Sequence, residues 1–424
     1  MPIKIAAIAD DYTGASDLAN TWRKNGLRTV QTIGIPSGTS NFSDMDAVVV
    51  SLKIRSAPAA DAVARALNAE ALLRDLGARH VLYKICSTFD STDEGNIGPV
   101  MDALCKRANA RWTLVTPAFP ETGRTVYKGH LFVGDVPLNE SPLKDHPLNP
   151  MRDANLVRVL SKQTIYPVGK LDLQTLANGV EASRARIAQQ ALQGPCAIIA
   201  DVIGDGDLER LGDLALESPV SIGASGLGAG LARSLLRASG RQTTAPQSLA
   251  SVGGFSAVLV GSCSARTLEQ TAAAEKVMPV LRLDPDRLVA SGGGDIVPAM
   301  GFARQHLGKG PFVVSASGTP ETVRAIQDTY GNKAAGLAIE TALAAIAAEL
   351  VALGVRRLVV AGGETSGAVV DRLGISSFEI GEELAAGVPK LRTIGRPEGE
   401  LIMALKSGNF GGIDFFAEAL SRLD

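Results

Sequence analysis

Short, unbroken apolar runs recur along the chain, each closing on a glycine or polar turn and most followed by an amphipathic stretch. Residues 3–9, 47–52, 81–86, 112–116, 197–200 and 220–223 read as strands, and residues 15–24, 59–76 and 97–109 as helices between them. A strand that is apolar on both faces must be covered on both faces, and helices alternating with strands supply that cover. The pattern predicts an α/β fold of mostly parallel sheets flanked by helices. It resumes later with strands at 257–260, 312–315 and 357–361 and a long apolar helix at 334–353.

Between the two series, residues 239–254 lack a helical or strand period and are rich in chain breakers. At 424 residues the chain exceeds one ordinary domain. The expected division is an N-terminal domain at 1–240, a linker at 241–254 and a C-terminal domain at 255–424, with the active site in the cleft between the domains.

A net charge of −2 with scattered basic residues excludes a nucleic-acid footprint, so small molecules are the expected partners. Asp10 and Asp11 come too early for a secretory signal peptide. Glu340 and Glu349 inside the 334–353 helix argue against a bilayer span. The expectation is a cytoplasmic protein with no membrane partner. Cys86, Cys105, Cys196 and Cys263 lack the spacing of a disulfide framework or zinc cluster, which suits a reducing compartment. His80, His130, His146 and His306 lack metal-ligand spacing and read as surface or structural groups.

Residues 358–373 run strand, glycine turn, helix. Gly362 and Gly363 let a ligand approach the backbone, and Thr365 or Ser366 can cap the helix and leave its first N–H groups for a phosphate. The same pattern also describes a tight, well-capped connection. Similar turns at 261–264 and 406–412 favour the first reading, because turns at the carboxyl ends of parallel strands converge. With their hydroxyls and Lys406 they make a nucleotide cradle, and no Walker P-loop is present. Residues 291–295 are glycine-rich but follow no strong strand and read as a flexible loop. Residues 220–232 either hold an anion or permit close packing.

The first strand ends in Asp10-Asp11. Two adjacent carboxylates there either work on a ligand, or one of them, with Thr13 as an alternative, caps the following helix. Lys53, Arg55, Lys84 and Arg124 lie at or just beyond other strand ends, where cations suit an acidic substrate.

Together, Ala9-Asp-Asp-Tyr-Thr-Gly-Ala-Ser-Asp, Ser87-Thr-Phe-Asp-Ser-Thr, Pro117-Ala-Phe-Pro-Glu-Thr-Gly-Arg-Thr-Val, Gly261-Ser-Cys-Ser and Gly362-Gly-Glu-Thr-Ser-Gly-Ala resemble the four-carbon acid sugar kinases. The resemblance covers nearly the whole chain. The segments starting at Lys84 and Tyr127 look like the 3-oxo-tetronate 4-kinase branch, and Cys86 and Phe89 stand where threonate and erythronate kinases differ. Tyr12 replaces the phenylalanine common in the first motif.

The resemblance implies ATP-dependent phosphorylation of 3-oxo-tetronate at its C4 hydroxyl, with Mg²⁺ as the expected metal and no protein ligands assigned to it. It implies ATP contacts at Ser262, Ser264, Gly362, Gly363, Glu364, Thr365, Ser366, Gly408 and Asn409. The expected substrate contacts are Arg55, Lys84, Ser87, Thr88, Asp90 and Arg124, with Asp10 or Asp11 acting on the C4 hydroxyl. The oligomeric state stays open, a homodimer among the options. The alternatives are a threonate or erythronate kinase and a non-catalytic sugar-acid sensor. A nicotinamide dehydrogenase is disfavoured because the first βα turn lacks Gly-x-Gly-x-x-Gly.

Overall fold

The computed structural model describes residues 3–36, 42, 45–145, 149–240 and 249–423. The chain divides into two compact units, Met1–Pro246 and Gln247–Asp424. The boundary falls within the expected linker, whose residues 241–248 lie outside the described residues, as does His146.

The first unit has strands β1 (Ile5–Ala9), β2 (Thr29–Ile33), β3 (Ala47–Ser51), β4 (His80–Lys84), β5 (Trp112–Thr116), β6 (Arg124–Tyr127), β7 (His130–Val133), β8 (Val136–Pro137), β9 (Val168–Leu171), β10 (Cys196–Ala200) and β11 (Val220–Gly223). A parallel sheet runs β2-β3-β1-β4-β11-β5-β10-β9, and β6, β7 and β8 form a separate antiparallel meander. Every residue of β1, β3, β4 and β10 is buried, as unbroken apolar runs require. The chain leaves β1 toward β2 and β3 on one side and returns to β4 on the other. That reversal opens a crevice at the carboxyl ends of β1 and β4.

The second unit has β12 (Phe255–Val260), β13 (Val280–Arg282), β14 (Phe312–Ser315), β15 (Val355–Ala361), β16 (Ser377–Ala385), β17 (Val388–Thr393) and β18 (Ile402–Lys406). Its sheet runs β13-β14-β12-β15-β18 in parallel, then β17 and β16 antiparallel. The reversal here lies between β12 and β15. The helix Asn332–Ala352 is long and apolar enough to span a membrane by composition, yet half of its most apolar window is buried within the unit. It packs on the helix Gly363–Arg372, so its apolar character serves the core.

The two alternative readings of residues 220–232 resolve toward packing. A Cβ on Gly226 would lie 2.3 Å from the Ala118 carbonyl, and one on Gly230 2.1 Å from the Leu208 carbonyl. Residues 291–295 form a tight helix end rather than a loose loop. Gly293 N–H bonds the Leu288 carbonyl, and its Cα faces the backbone of the helix Asn332–Ala352.

Candidate functional site

At the crevice of the first unit, the helix Tyr12–Lys24 starts immediately beyond β1. Asp11 is its N-cap, accepting the Gly14 N–H at 2.8 Å and the Thr13 hydroxyl at 2.7 Å. Asp10 is not a cap. Its two oxygens accept Arg55 Nη2 and Nε at 2.8 Å each, a bidentate pair. Arg55 Nη2 also lies 3.0 Å from Asp11, and Nη1 bonds Asp90 at 3.3 Å. The adjacent carboxylates therefore split their roles, one capping and one clamping, with Arg55 bridging both to the turn after β4.

Burial pushes the Asp10 carboxyl above its ordinary pKa, with Arg55 pulling against it. Burial works against the Asp11 charge too, but Arg55, Lys84 and the bonds from Thr13 and Gly14 outweigh it and hold Asp11 below the usual range. Lys84 is 2% exposed and donates to the Ile85 carbonyl at 2.9 Å.

The turn after β4 is held in an uncommon backbone. Phe89 and Asp90 are consecutive non-glycine residues at φ 65° and 49°. Phe89 is fully buried, and Asp90 is tied by Arg55 on one side and the Asn149 amide at 3.0 Å on the other. Ser87 is half-buried and Thr88 buried; the Thr88 hydroxyl meets Cys86 Sγ at 3.1 Å. Asn96 secures the Arg55 loop by donating to the carbonyls of Ile54, Arg55 and Ala57. Asn96 and Asn149 escaped the sequence reading because lone asparagines in turns carry no spacing signal. Arg124 begins β6, and one of its terminal nitrogens donates to the Thr122 carbonyl.

In the second unit, three of the expected turns meet. Gly261 and Ser262 N–H groups both bond the Ala361 carbonyl, and Gly362 N–H bonds the Lys406 carbonyl at 2.8 Å. Ser264 caps the helix Ala265–Ala274 and donates to the Gly408 carbonyl at 2.7 Å. A Cβ on Gly408 would lie 2.5 Å from Ser262 Oγ, so only glycine fits without displacing it. Asn409 is exposed beside it.

Two expectations are corrected here. Thr365 and Ser366 do not cap the helix after β15; it begins at Gly363, with Gly362 (φ 127°) as an N-cap that offers no side-chain bond. Thr365 and Ser366 are buried, and the first helical bond is Ser366 N–H to Gly362. The N–H groups of Gly363, Glu364 and Thr365 thus start the helix without intrahelical acceptors, an anion-binding arrangement. Lys406 is not an open phosphate ligand either. It is fully buried and donates to the Ser407 and Gly408 carbonyls and the Thr267 hydroxyl at 3.0, 2.8 and 3.2 Å. Burial, with Arg266 nearby, lowers its pKa to about 7.

A fourth turn was missed. Beyond β14, Ser317 donates to the Ser262 carbonyl at 2.7 Å, and Gly318 N–H meets Cys263 Sγ at 3.4 Å. Its signal was present in the strand followed by Ser-Gly-Thr and a proline-led helix, Pro320–Tyr330.

His80 is buried between the Ser218 carbonyl and the Ser221 hydroxyl, and burial lowers its pKa to about 4. No group of three or more His, Cys, Asp or Glu is placed to hold a metal among the described residues. All four cysteines are free thiols.

Residues 5–231 match the sugar-binding N-terminal domain family, and residues 257–416 the nucleotide-binding C-terminal domain family. A Methylobacterium radiotolerans protein named 3-oxo-tetronate kinase is 62% identical, covering 100% of both chains. A Burkholderia multivorans protein of the same name is 51% identical over 99% of this chain and 97% of its own. Among solved structures, a Salmonella typhimurium protein superposes with a TM-score of 0.82 at 39% identity, covering 98% of each chain. A Haemophilus influenzae protein gives 0.76 at 38% identity over 99% of this chain and 100% of that one. With both domain families matched in order and identity sustained from end to end, the chain belongs to the four-carbon acid sugar kinase family, beside the proteins named 3-oxo-tetronate kinase.

Proposed function

We propose that this chain transfers the γ-phosphoryl group of ATP to the C4 hydroxyl of 3-oxo-tetronate. The observation that carries the reading is 62% identity over the full length to a protein of that name. The two crevices are chemically consistent with it. One is lined by carboxylates and cations suited to a hydroxy acid, and the other by glycine turns and open helix N–H groups suited to phosphates.

On this reading the nucleotide phosphates lie against Gly363, Glu364 and Thr365 N–H. Ser262, Ser264, Gly362, Ser366, Gly408 and Asn409 shape or line that turn cluster. The sugar acid occupies the crevice of the N-terminal unit, near Ser87, Thr88 and Asp90. Asp11 is the better placed of the two aspartates to orient the C4 hydroxyl, since Asp10 is clamped by Arg55 and nearly inaccessible. Phosphoryl transfer depends mainly on positioning and charge neutralisation, so a weak base suffices. Transfer requires that water be kept from the γ-phosphate while the sugar acid is bound.

Mg²⁺ would supply charge neutralisation when bound. The described residues offer it no cluster of protein ligands, so it fits best as an ion carried mainly by the phosphates and water. The chain is proposed to work in the cytoplasm.

The test is ADP release with a panel of 3-oxo-tetronate, threonate and erythronate in both enantiomeric series. Preference for 3-oxo-tetronate by an order of magnitude or more is expected. Faster turnover of threonate or erythronate would move the chain to a sister activity, and no acid-dependent ATP consumption would leave a binding protein.

A further inference from the structure

We infer that Arg124, rather than Arg55 or Lys84, takes the carboxylate of the substrate, and that this contact sets which way round the acid binds. The inference rests on the kinase reading above and adds the orientation of the substrate within the N-terminal crevice.

Asp10, Asp11 and Asp90 are all tied to Arg55, and Lys84 acts on Asp10 and Asp11. Three carboxylates against two cations leave that cluster formally at −1. Arg55 has both faces of its guanidinium fork occupied, so a fourth carboxylate would have to displace one already there. Lys84 is buried and spends a proton on the Ile85 carbonyl. The Asp10–Asp11 end of the crevice therefore repels an incoming carboxylate and suits a hydroxyl, which can donate to it.

Arg124 is in a different state. Its Nε is buried and has no hydrogen-bond partner among the described residues. One Nη reaches the Thr122 carbonyl, and among the described residues no carboxylate lies within ion-pair distance. The groups that act on it electrostatically are Cys86 and Asp17. Burial raises the Cys86 pKa, so the thiol is neutral near pH 7, and Asp17 accepts the Ser225 hydroxyl at 2.5 Å. Burial pulls the pKa of Arg124 down, as for a cation that lacks a partner. A guanidinium taken from water without a fork-matched anion is costly, and a carboxylate would complete it.

The two arginines share a neighbour. Cys86 lies in the turn after β4, where it acts on both Arg55 and Arg124; that turn and the one leading to Arg124 leave the carboxyl ends of β4 and β5, parallel strands with β11 between them. The uncommitted cation thus belongs to the same crevice as the aspartate pair. A four-carbon acid with its carboxylate on Arg124 presents its far, C4 end to Asp10 and Asp11, the end to be phosphorylated.

The test compares 3-oxo-tetronate with its neutral counterpart, 1,3,4-trihydroxybutan-2-one, in which a CH₂OH replaces the carboxylate. Wild type, Arg124→Gln and Arg124→Lys are assayed for kcat and KM on both. Arg124→Gln should lose about a hundredfold in kcat/KM on the acid, mostly through KM, as expected for a lost bidentate charge pair. It should change little on the neutral ketose, so the preference for the acid collapses, and Arg124→Lys should restore part of it. The KM for ATP serves as the folding control and should not move.

A thermal-shift titration with the acid reads the same contact without turnover. Wild type should be stabilised and Arg124→Gln should not. Retention of the acid preference, equal loss on both substrates, or undiminished stabilisation of Arg124→Gln by the acid would overturn the assignment. Wild type that binds the acid through Arg124 but does not phosphorylate it would sink the kinase reading and leave the orientation standing.

Discussion

Arg55 holds Asp10 by two hydrogen bonds of 2.8 Å, and through the same guanidinium reaches Asp11 and Asp90. One side chain thereby ties together the segments following β1, β3 and β4, and removing a partner should be felt in stability as well as activity.

Asp10→Asn leaves Arg55 buried without its bidentate carboxylate, whereas Asp11→Asn can retain a cap. Breaking a buried pair costs on the order of 3 kcal/mol, and weakening an N-cap about 1 kcal/mol. Urea denaturation should rank Asp10→Asn as the less stable by roughly 2 kcal/mol. Turnover should fall in both, by more than tenfold in Asp11→Asn. Near-native rates in both would remove the aspartates from the mechanism.

Gly362 stands at φ 127°, and a Cβ there would lie 3.2 Å from Ser262 N. Gly362→Ala should cost about 1–3 kcal/mol in strain and raise the KM for ATP. Gly336, on an exposed stretch of the helix Asn332–Ala352 with nothing nearer than 3.8 Å, is the control. There alanine should stabilise by up to about 1 kcal/mol without touching either KM.

Lys406 braces the Gly408 turn from beneath rather than reaching a phosphate. Lys406→Met should raise the KM for ATP about tenfold, the scale of one or two lost hydrogen bonds, and leave the KM for the sugar acid unchanged. A collapse of kcat with an unaltered ATP KM would instead indicate direct contact with the transferred group.

His80 has a pKa of about 4 in the folded chain against 6.5 in a model peptide. Between these values the unfolded chain binds the proton and the folded chain does not, so stability falls as pH drops from 6.5 toward 4. The loss is on the order of 3 kcal/mol. Denaturation midpoints at pH 7 and pH 4.5 should differ less in His80→Gln than in wild type. An equal difference would place the acid sensitivity elsewhere.

Much of this was legible in the chain. The run at 112–116 and that at 312–315 are strands with the expected limits, because a stretch apolar on both faces has few places to go. Strands β2, β9 and β16 were not legible. Their polar and charged residues are compatible with a loop, and ladder pairing decides them, β2 with β3, β9 with β10 and β16 with β17. The Asp-Asp pair was visible as unusual, but which member caps and which clamps depends on where residue 55 arrives.

The sequence by itself determined the α/β class, the family and the turn residues that can bind. Those follow from local periodicity, from glycines that permit close approach and from motifs that survive as strings. Only the tertiary structure decided which charges are already paired. Arg55, Lys84 and Arg124 are equivalent candidates as letters. Folding surrounds Arg55 with three carboxylates, buries Lys84 against a carbonyl and leaves Arg124 without a counter-ion in contact among the described residues. Electrostatic pairing depends on distances between residues remote in sequence, and no local pattern records them.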